Sequence, residues 1–333
     1  MSRSAIDLYG LVAAPHSPFD EHGVLAVDRV EAQAAHLEKN GVCGAFVAGT
    51  TGESHSLTIE EREALAQAWV DATKERDIAV IVHIGGNTLA DCVQLARHAQ
   101  KIGASGHAAF APSYFKPSGV DGLVEWCSAL AEEAPDLPFF FYDIPSWTGV
   151  EVMTSEFLVF ARRQIPTLQG IKYTKNDLAD FLRCTRFSAG KHNLYFGNDE
   201  ALLAGLALGA VGAVGSTYNF AAPLYHRIAA AFLEGDLATA RNEQAMSAAL
   251  VDLLVHYDYM TASKTVMELL EVPVGDPRPP LDTLDAEAKA ALQSDLDEIG
   301  FFEWLEEDMP DDPNAIWQEV AHRARIGLPR DIQ

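Results

Sequence analysis

Between residues 9 and 234 the chain repeats one pattern eight times: a short apolar or β-branched run, punctuation by Gly, Pro, Asn or Asp, then a longer segment of helical period. This alternation constrains the fold more than any other feature, because strands separated by helix-length segments are joined by crossovers and must pair in parallel. The strand candidates are 9–14, 44–48, 78–84, 106–111, 138–142, 168–173, 193–197 and 211–216. The intervening helices are expected over 27–39, 58–75, 88–103, 118–134, 153–163, 177–188, 199–209 and 221–234. Two starts carry their own signals: Thr58 with Glu61 spells a T-x-x-E capping box, and Asp177 precedes an apolar-periodic run. Eight such units are what a (β/α)8 TIM barrel requires. A doubly wound sheet is the alternative, but it carries a glycine-rich turn after its first strand, and "VAAPHSPF" is not one.

Three further helices are expected within 236–298, including "KTVMELLEV" and "AEAKAALQSDLDEIG", packed on the barrel exterior. The expected organisation is α/β: a barrel over 1–235, a C-terminal helical extension over 236–300, and an acidic extension over 301–333. Residues 282–333 hold 14 Asp and Glu against 4 Lys and Arg, so the run "EWLEEDMPDDP" reads as a solvated tail or cover.

The formal charge of −24 argues against nucleic acid, which is gripped by clustered Lys and Arg. "MSRSAIDLYG" holds no signal-peptide core, and no segment approaches the ~18 apolar residues of a membrane span, so a cytoplasmic protein is expected. Cys43, Cys92, Cys127 and Cys184 lack CxxC spacing and read as reduced core thiols. The histidines form no paired metal spacing; His83 in "VIVHIGG" reads as core or pocket lining, and neither metal nor cofactor is expected.

Barrel enzymes place their chemistry at the carboxyl ends of the strands. That rim collects Thr50 and Thr51 after strand two, Tyr114 after strand four, Tyr142 closing strand five, Lys172 and Thr174 at strand six, Asp199 and Glu200 after strand seven, and Ser216 after strand eight. Singly, each has an ordinary explanation: a tyrosine closing a strand is usually core, threonines shape turns, and acids suit the first turn of a helix. Lys172 in "LQGIKYTKND" is the least ordinary, since lysine is almost never fully buried without a partner. It serves either as an ion-pair cation or as an amine nucleophile. A nucleophile must be neutral, and a lysine of pKa ~10.4 is neutral only about once in 2,500 molecules at pH 7 unless burial lowers it.

"GTTGE", "YDIPSWTG", "GIKYT" and "FGNDEALLAGLALGAVGAVGSTYN" resemble the dihydrodipicolinate synthase / N-acetylneuraminate lyase family of pyruvate-dependent class I aldolases, on its N-acetylneuraminate lyase branch, over about residues 9–298. The resemblance implies a barrel with a C-terminal helical extension, no metal, and reversible Schiff-base cleavage of N-acetylneuraminate to N-acetylmannosamine and pyruvate. By position it implies that Lys172 forms the imine and Tyr142 handles the C4 hydroxyl proton. Thr50 and Thr51 would hold the 2-oxo acid carboxylate, Thr174 would add a contact beside the imine, and Gly197, Asp199, Glu200 and Ser216 would bind the polyhydroxyl tail. It further suggests a homotetramer in which Tyr114 reaches a neighbour's site. Trp147 stands where dihydrodipicolinate synthases usually carry an arginine, and Asp143 where the family commonly has Asn or His; both bear on the sugar pocket. Gly205, Gly209, Gly212 and Gly215 lack an accompanying Lys or Arg and read as close packing rather than a phosphate site. The alternatives are another 2-oxo-3-deoxy sugar acid aldolase or dehydratase, a dihydrodipicolinate synthase-like enzyme, and, from a different class, a non-catalytic 2-oxo acid sensor.

Overall fold

The computed structural model of the chain describes residues 6–326. Eight parallel strands close on themselves in sequence order: β1 (Leu11–Ala13), β2 (Gly44–Val47), β3 (Ala79–His83), β4 (Gly106–Phe110), β5 (Phe139–Asp143), β6 (Leu168–Tyr173), β7 (Asn193–Phe196) and β8 (Gly212–Gly215). Closure is made by β1 on β8, with Val12 opposite Val214 and Ala13 opposite Gly215. Each strand falls inside its expected range or within one residue of it.

The helical layer contains α1 (Val30–Lys39), α2 (Ile59–Ala72), α3 (Leu89–Lys101), α4 (Val120–Ala131), the single turn α5 (Pro145–Thr148), α6 (Thr154–Gln164), α7 (Leu178–Ser188), α8 (Leu202–Ala207) and α9 (Ala222–Glu234). The signals in the sequence operate as read. Thr58 Oγ1 accepts from the Glu61 amide at 3.2 Å while the Glu61 carboxylate accepts from the Thr58 amide at 2.9 Å. Asp177 caps α7 by accepting from the Asp180 amide at 2.9 Å.

Strand alternation divides the core in two. Outward residues such as Val47, Phe139, Ile171 and Phe196 join the helices in one large cluster, while Val12, Phe46, Ile81, Phe110, Phe140, Tyr142 and Tyr195 fill the barrel interior. Lys172 pairs in register with Tyr142 on β5 and Tyr195 on β7, so it projects inward with them.

After the barrel come α10 (Leu237–His256), α11 (Tyr259–Leu269), α12 (Ala286–Glu298), α13 (Phe301–Glu306) and α14 (Pro313–Arg325). The acidic run 303–313, expected as a solvated tail or cover, holds no buried residue, whereas α14 beyond it is packed; residues 327–333 lie outside the described part. Trp317, Val320 and Ala321 form an apolar stripe on α14 that is buried against α9 and the amino-terminal end of the barrel. The Trp317 indole donates to His226 Nδ1 at 3.0 Å, and His226 Nε2 meets the Asn40 carbonyl at 3.0 Å. Arg325 donates to the Tyr9 hydroxyl at 2.7 Å and to Asn193 Oδ1 at 3.0 Å. Net charge misled here because it averages over the segment, whereas packing depends on one face.

No helix among the described residues is long and apolar enough to cross a membrane. The four cysteines are free thiols.

Candidate active site

At the carboxyl end of the barrel lies a cavity of about 360 Å³. Its walls include Thr50, Thr51, Tyr142, Lys172, Thr174, Gly197, Asp199, Glu200 and Ser216, which is every rim residue singled out from the sequence except Tyr114. A larger surface groove of about 710 Å³ sits at the opposite end, against the starts of the strands and α14, remote from Lys172.

Lys172 is 5% exposed, and no hydrogen bond or ion pair holds its ammonium among the described residues. Its Nζ stands 4.1 Å from the Tyr142 ring centroid and 4.8 Å from that of Phe46. Desolvation lowers its pKa to about 7, against the opposing pull of the Asp199 carboxylate. Roughly half the amine is therefore neutral near pH 7.

The Tyr142 hydroxyl lies 3.2 Å from Thr50 Oγ1. Burial raises the Tyr142 pKa, so the phenol is neutral at rest. Its ring is fixed by an edge contact with Phe46 and by Phe110 and His83. His83 itself is fully buried, with Nδ1 2.9 Å from the Ala48 carbonyl and a pKa driven well below the ordinary value by desolvation. It is a neutral wall of the barrel interior, as the sequence suggested.

Thr50 and Thr51 belong to the turn after β2, where the Glu53 and Ser54 amides fold back to the Thr50 and Gly49 carbonyls at 2.9 and 3.1 Å. Glu53 anchors this turn through a buried ion pair with Lys264 of α11 at 2.7 Å. The Ser17 hydroxyl donates to the Gly52 carbonyl at 2.6 Å.

The two acids at the far wall differ. Asp199 is buried, and one carboxylate oxygen already accepts from the amide and hydroxyl of Thr217 at 2.9 and 2.6 Å. Its carboxylate packs onto Gly215, where a Cβ would stand 1.7 Å from Oδ1, so β8 must end in glycine. Glu200 is exposed and unencumbered at the mouth. Desolvation raises the pKa of both, with Asp199 and Asp252 adding repulsion at Glu200.

Two sequence readings change, and Tyr114 lies apart from this cavity, its suggested reach being toward a neighbour's site. The Thr174 hydroxyl donates to the Asp143 carbonyl, so its donor is spent on the wall. Asp143 faces away from the cavity and pairs with Lys175 at 2.9 Å, so it does not line the sugar pocket. Tyr114 is 78% exposed, stacked edge-on with Phe115 outside the cavity. Trp147 is 67% exposed and does line the mouth.

The helical extension contributes residues that sequence reasoning placed outside. Val251, Asp258, Tyr259, Met260 and Leu281 all reach the cavity, and the Tyr259 hydroxyl bonds the Ser216 hydroxyl. Asp258, Tyr259 and Met260 sit at the turn between α10 and α11, where Asp258 adopts φ +62°. Among the described residues no group of three or more His, Cys, Asp or Glu side chains is placed to hold a metal ion.

A closed parallel barrel with an unpaired lysine and a tyrosine inside its carboxyl-terminal mouth is the architecture of a class I aldolase. The chain belongs to the dihydrodipicolinate synthetase family, whose sequence model matches residues 7–299. It is 40% identical over 295 residues to the N-acetylneuraminate lyase of Gallus gallus, covering 86% of this chain and 96% of that protein. Among solved structures it resembles Proteus mirabilis N-acetylneuraminate lyase at 40% identity and a TM-score of 0.86, covering 88% and 99% of the two chains. DHDPS from Cyanidioschyzon merolae follows at 30% identity and a TM-score of 0.82, covering 88% and 98%. The family match ends at residue 299, before α13 and α14.

Proposed function

We propose that this chain is an N-acetylneuraminate lyase acting through a Schiff base on Lys172. The observation that carries the reading is the unpaired, desolvated Lys172 amine beside the Tyr142–Thr50 hydroxyl pair in one cavity. The neutral amine adds to the C2 ketone of the open-chain sugar acid, and the carbinolamine takes up a proton from solvent and loses water, giving a protonated imine. Breaking C3–C4 sends its electron pair toward the imine as an enamine, while the C4 hydroxyl proton passes to the Tyr142 oxygen and N-acetylmannosamine departs as the aldehyde. Because the phenol is neutral at rest, it must release its own proton as it accepts one; the Thr50 hydroxyl at 3.2 Å takes that proton while passing its own to the substrate carboxylate it holds. Protonation at C3 and hydrolysis of the imine then release pyruvate and restore the amine.

Thr50 and Thr51 hold the 2-oxo acid carboxylate in this reading, with Thr174 and Gly197 shaping the wall beside the imine. Glu200, Asp199 and Ser216 face the hydroxylated tail; an ionised carboxylate accepts hydrogen bonds from vicinal hydroxyls and repels an anionic tail. Trp147 in place of an arginine fits the same preference. The exposed Tyr114 and Phe115 support the proposal that a second copy covers this rim in a homotetramer. The free thiols accord with a cytoplasmic setting.

The test is borohydride reduction in the presence of pyruvate, followed by peptide mass spectrometry. A label on Lys172 is expected; a label elsewhere, or none, overturns the mechanism. Turnover of N-acetylneuraminate against a shorter 2-oxo-3-deoxy acid then separates the lyase from other aldolases of the family.

A further inference from the structure

We propose that the Asp143–Lys175 ion pair is a positioning device for the reaction, holding Tyr142 and Lys172 at a fixed separation from behind the barrel wall. The inference rests on the roles of those two residues proposed above. Asp143 directly follows Tyr142 on β5, and Lys175 follows Lys172 by three residues beyond β6. Tyr142 lies opposite Lys172 and Asp143 opposite Tyr173, and there both strands end. Past that point the two strands stay joined by one backbone bond and by side chains. The Thr174 amide donates to the Asp143 carbonyl at 3.1 Å, and the Thr174 hydroxyl donates to the same oxygen. Lys175 Nζ then reaches Asp143 Oδ2 at 2.9 Å, with side chains only 12% and 6% exposed.

Both partners are held on further sides. Lys175 also donates to the Val152 carbonyl and, at 3.2 Å, to Thr154 Oγ1, whose hydroxyl donates to Asp143 Oδ2. Asp180 of α7 takes the Thr154 amide at 2.9 Å and the Ser155 hydroxyl at 2.6 Å. The charged groups packed here are thus Asp143, Lys175 and Asp180, with Arg183 3.8 Å from Asp180 at the surface. None of them lines the cavity.

Stability alone is a poor account of this pair, because a buried ion pair is often no better than an apolar pair of similar volume. What it supplies is direction: it locks the ends of the two strands that carry the amine and the phenol. Proton transfer and C–C cleavage depend on that separation, and a shift near 1 Å costs about 100-fold. Binding of pyruvate depends on it far less.

The full chain should be assayed as Lys175→Met, Lys175→Arg and Asp143→Asn. Expected for Lys175→Met is a loss in kcat of roughly 10- to 100-fold with KM changed less than about threefold, and undiminished trapping of pyruvate on Lys172. Lys175→Arg should recover most of kcat. Should Lys175→Met not fold, Asp143→Asn, which keeps hydrogen-bonding capacity, should show the same kcat-selective loss in milder form. A folded Lys175→Met or Asp143→Asn protein with wild-type kcat overturns the proposal, as does a loss accounted for by a smaller folded fraction. Failure of the parent reading is distinguishable, since it appears as absent trapping or cleavage in the unmodified chain.

Discussion

Two buried lysines show how the same side chain is put to opposite uses. Lys264 of α11 meets the Glu53 carboxylate at 2.7 Å and the Ser17 carbonyl at 3.0 Å, with Nζ 4.4 Å from the Phe19 ring centroid. Lys172 has aromatic rings at similar distances but no anion in contact. Desolvation depresses both, yet at Lys264 the Glu53 charge is the next influence and opposes it, while at Lys172 only the Asp199 charge does so. The paired ammonium ties the Thr50–Thr51 turn to the helical extension; the unpaired one is left able to shed its proton near neutral pH. Burial without a partner costs stability, and under the proposed mechanism the barrel mouth that tolerates the cost gains a nucleophile.

The largest expected effect breaks the contrast at Lys172 itself. Lys172→Met should abolish borohydride trapping and lower cleavage by roughly 10⁴-fold or more, as loss of a nucleophile does elsewhere. It should also stabilise the fold. The folded pKa of about 7 lies below the unfolded value, so the unfolded chain binds more protons between them and wild-type stability rises with pH across that window. The Tm gain from Lys172→Met should be greatest at or below about pH 7 and fade toward pH ~10.4. A gain that does not vary with pH would remove the depressed pKa from the account. In the wild type, imine formation should rise with pH through about 7.

Tyr142→Phe comes next. It keeps the ring beside Lys172 but deletes the hydroxyl facing Thr50, so trapping with pyruvate should survive while cleavage falls by about 10² to 10⁴. Unchanged turnover would take the phenol out of the mechanism.

At the other lysine the effect is on stability. Glu53→Gln leaves the Lys264 ammonium buried without its anion, which should cost about 3 to 5 kcal/mol in denaturant unfolding. A cost below about 1 kcal/mol would be that of a surface pair and would erase the contrast.

The barrel and most of the cavity wall were legible because they follow from period and position. Strand alternation set which side chains face inward, and the end of each strand set which reach the mouth. Position alone left Lys172 between ion-pair cation and nucleophile, with only the family resemblance choosing the imine, since whether a lysine has a partner depends on residues far off in sequence: Lys264 finds Glu53 across the fold, and among the described residues Lys172 finds none. Tyr259 and Met260 were missed because a helix assigned to the exterior enters the site through the turn before it. Asp143 was credited to the pocket although it neighbours Tyr142, since adjacent strand residues face opposite ways. Trp317 could be named as a candidate anchor, but net charge, which averages over the acidic residues around it, could not show that it packs.

The smallest expected effect carries the contrast to two adjacent acids, one occupied and one free. Asp199 spends an oxygen on Thr217, whereas Glu200 is open to the cavity. If the tail of N-acetylneuraminate donates to Glu200, Glu200→Ala removes a charged acceptor worth about 1 to 3 kcal/mol and should lower kcat/KM about 5- to 150-fold. Pyruvate does not extend to it, so trapping on Lys172 should be unchanged, and a shorter 2-oxo-3-deoxy acid should lose less. Asp199→Ala should differ in kind: it strands the Thr217 amide in a buried wall, while the Thr217 hydroxyl keeps Tyr225 at 2.7 Å, so Tm should fall along with activity on both substrates. Equal losses from Glu200→Ala on long and short substrates would show that Glu200 does not read the tail, and the reading would contract to a general 2-oxo acid aldolase.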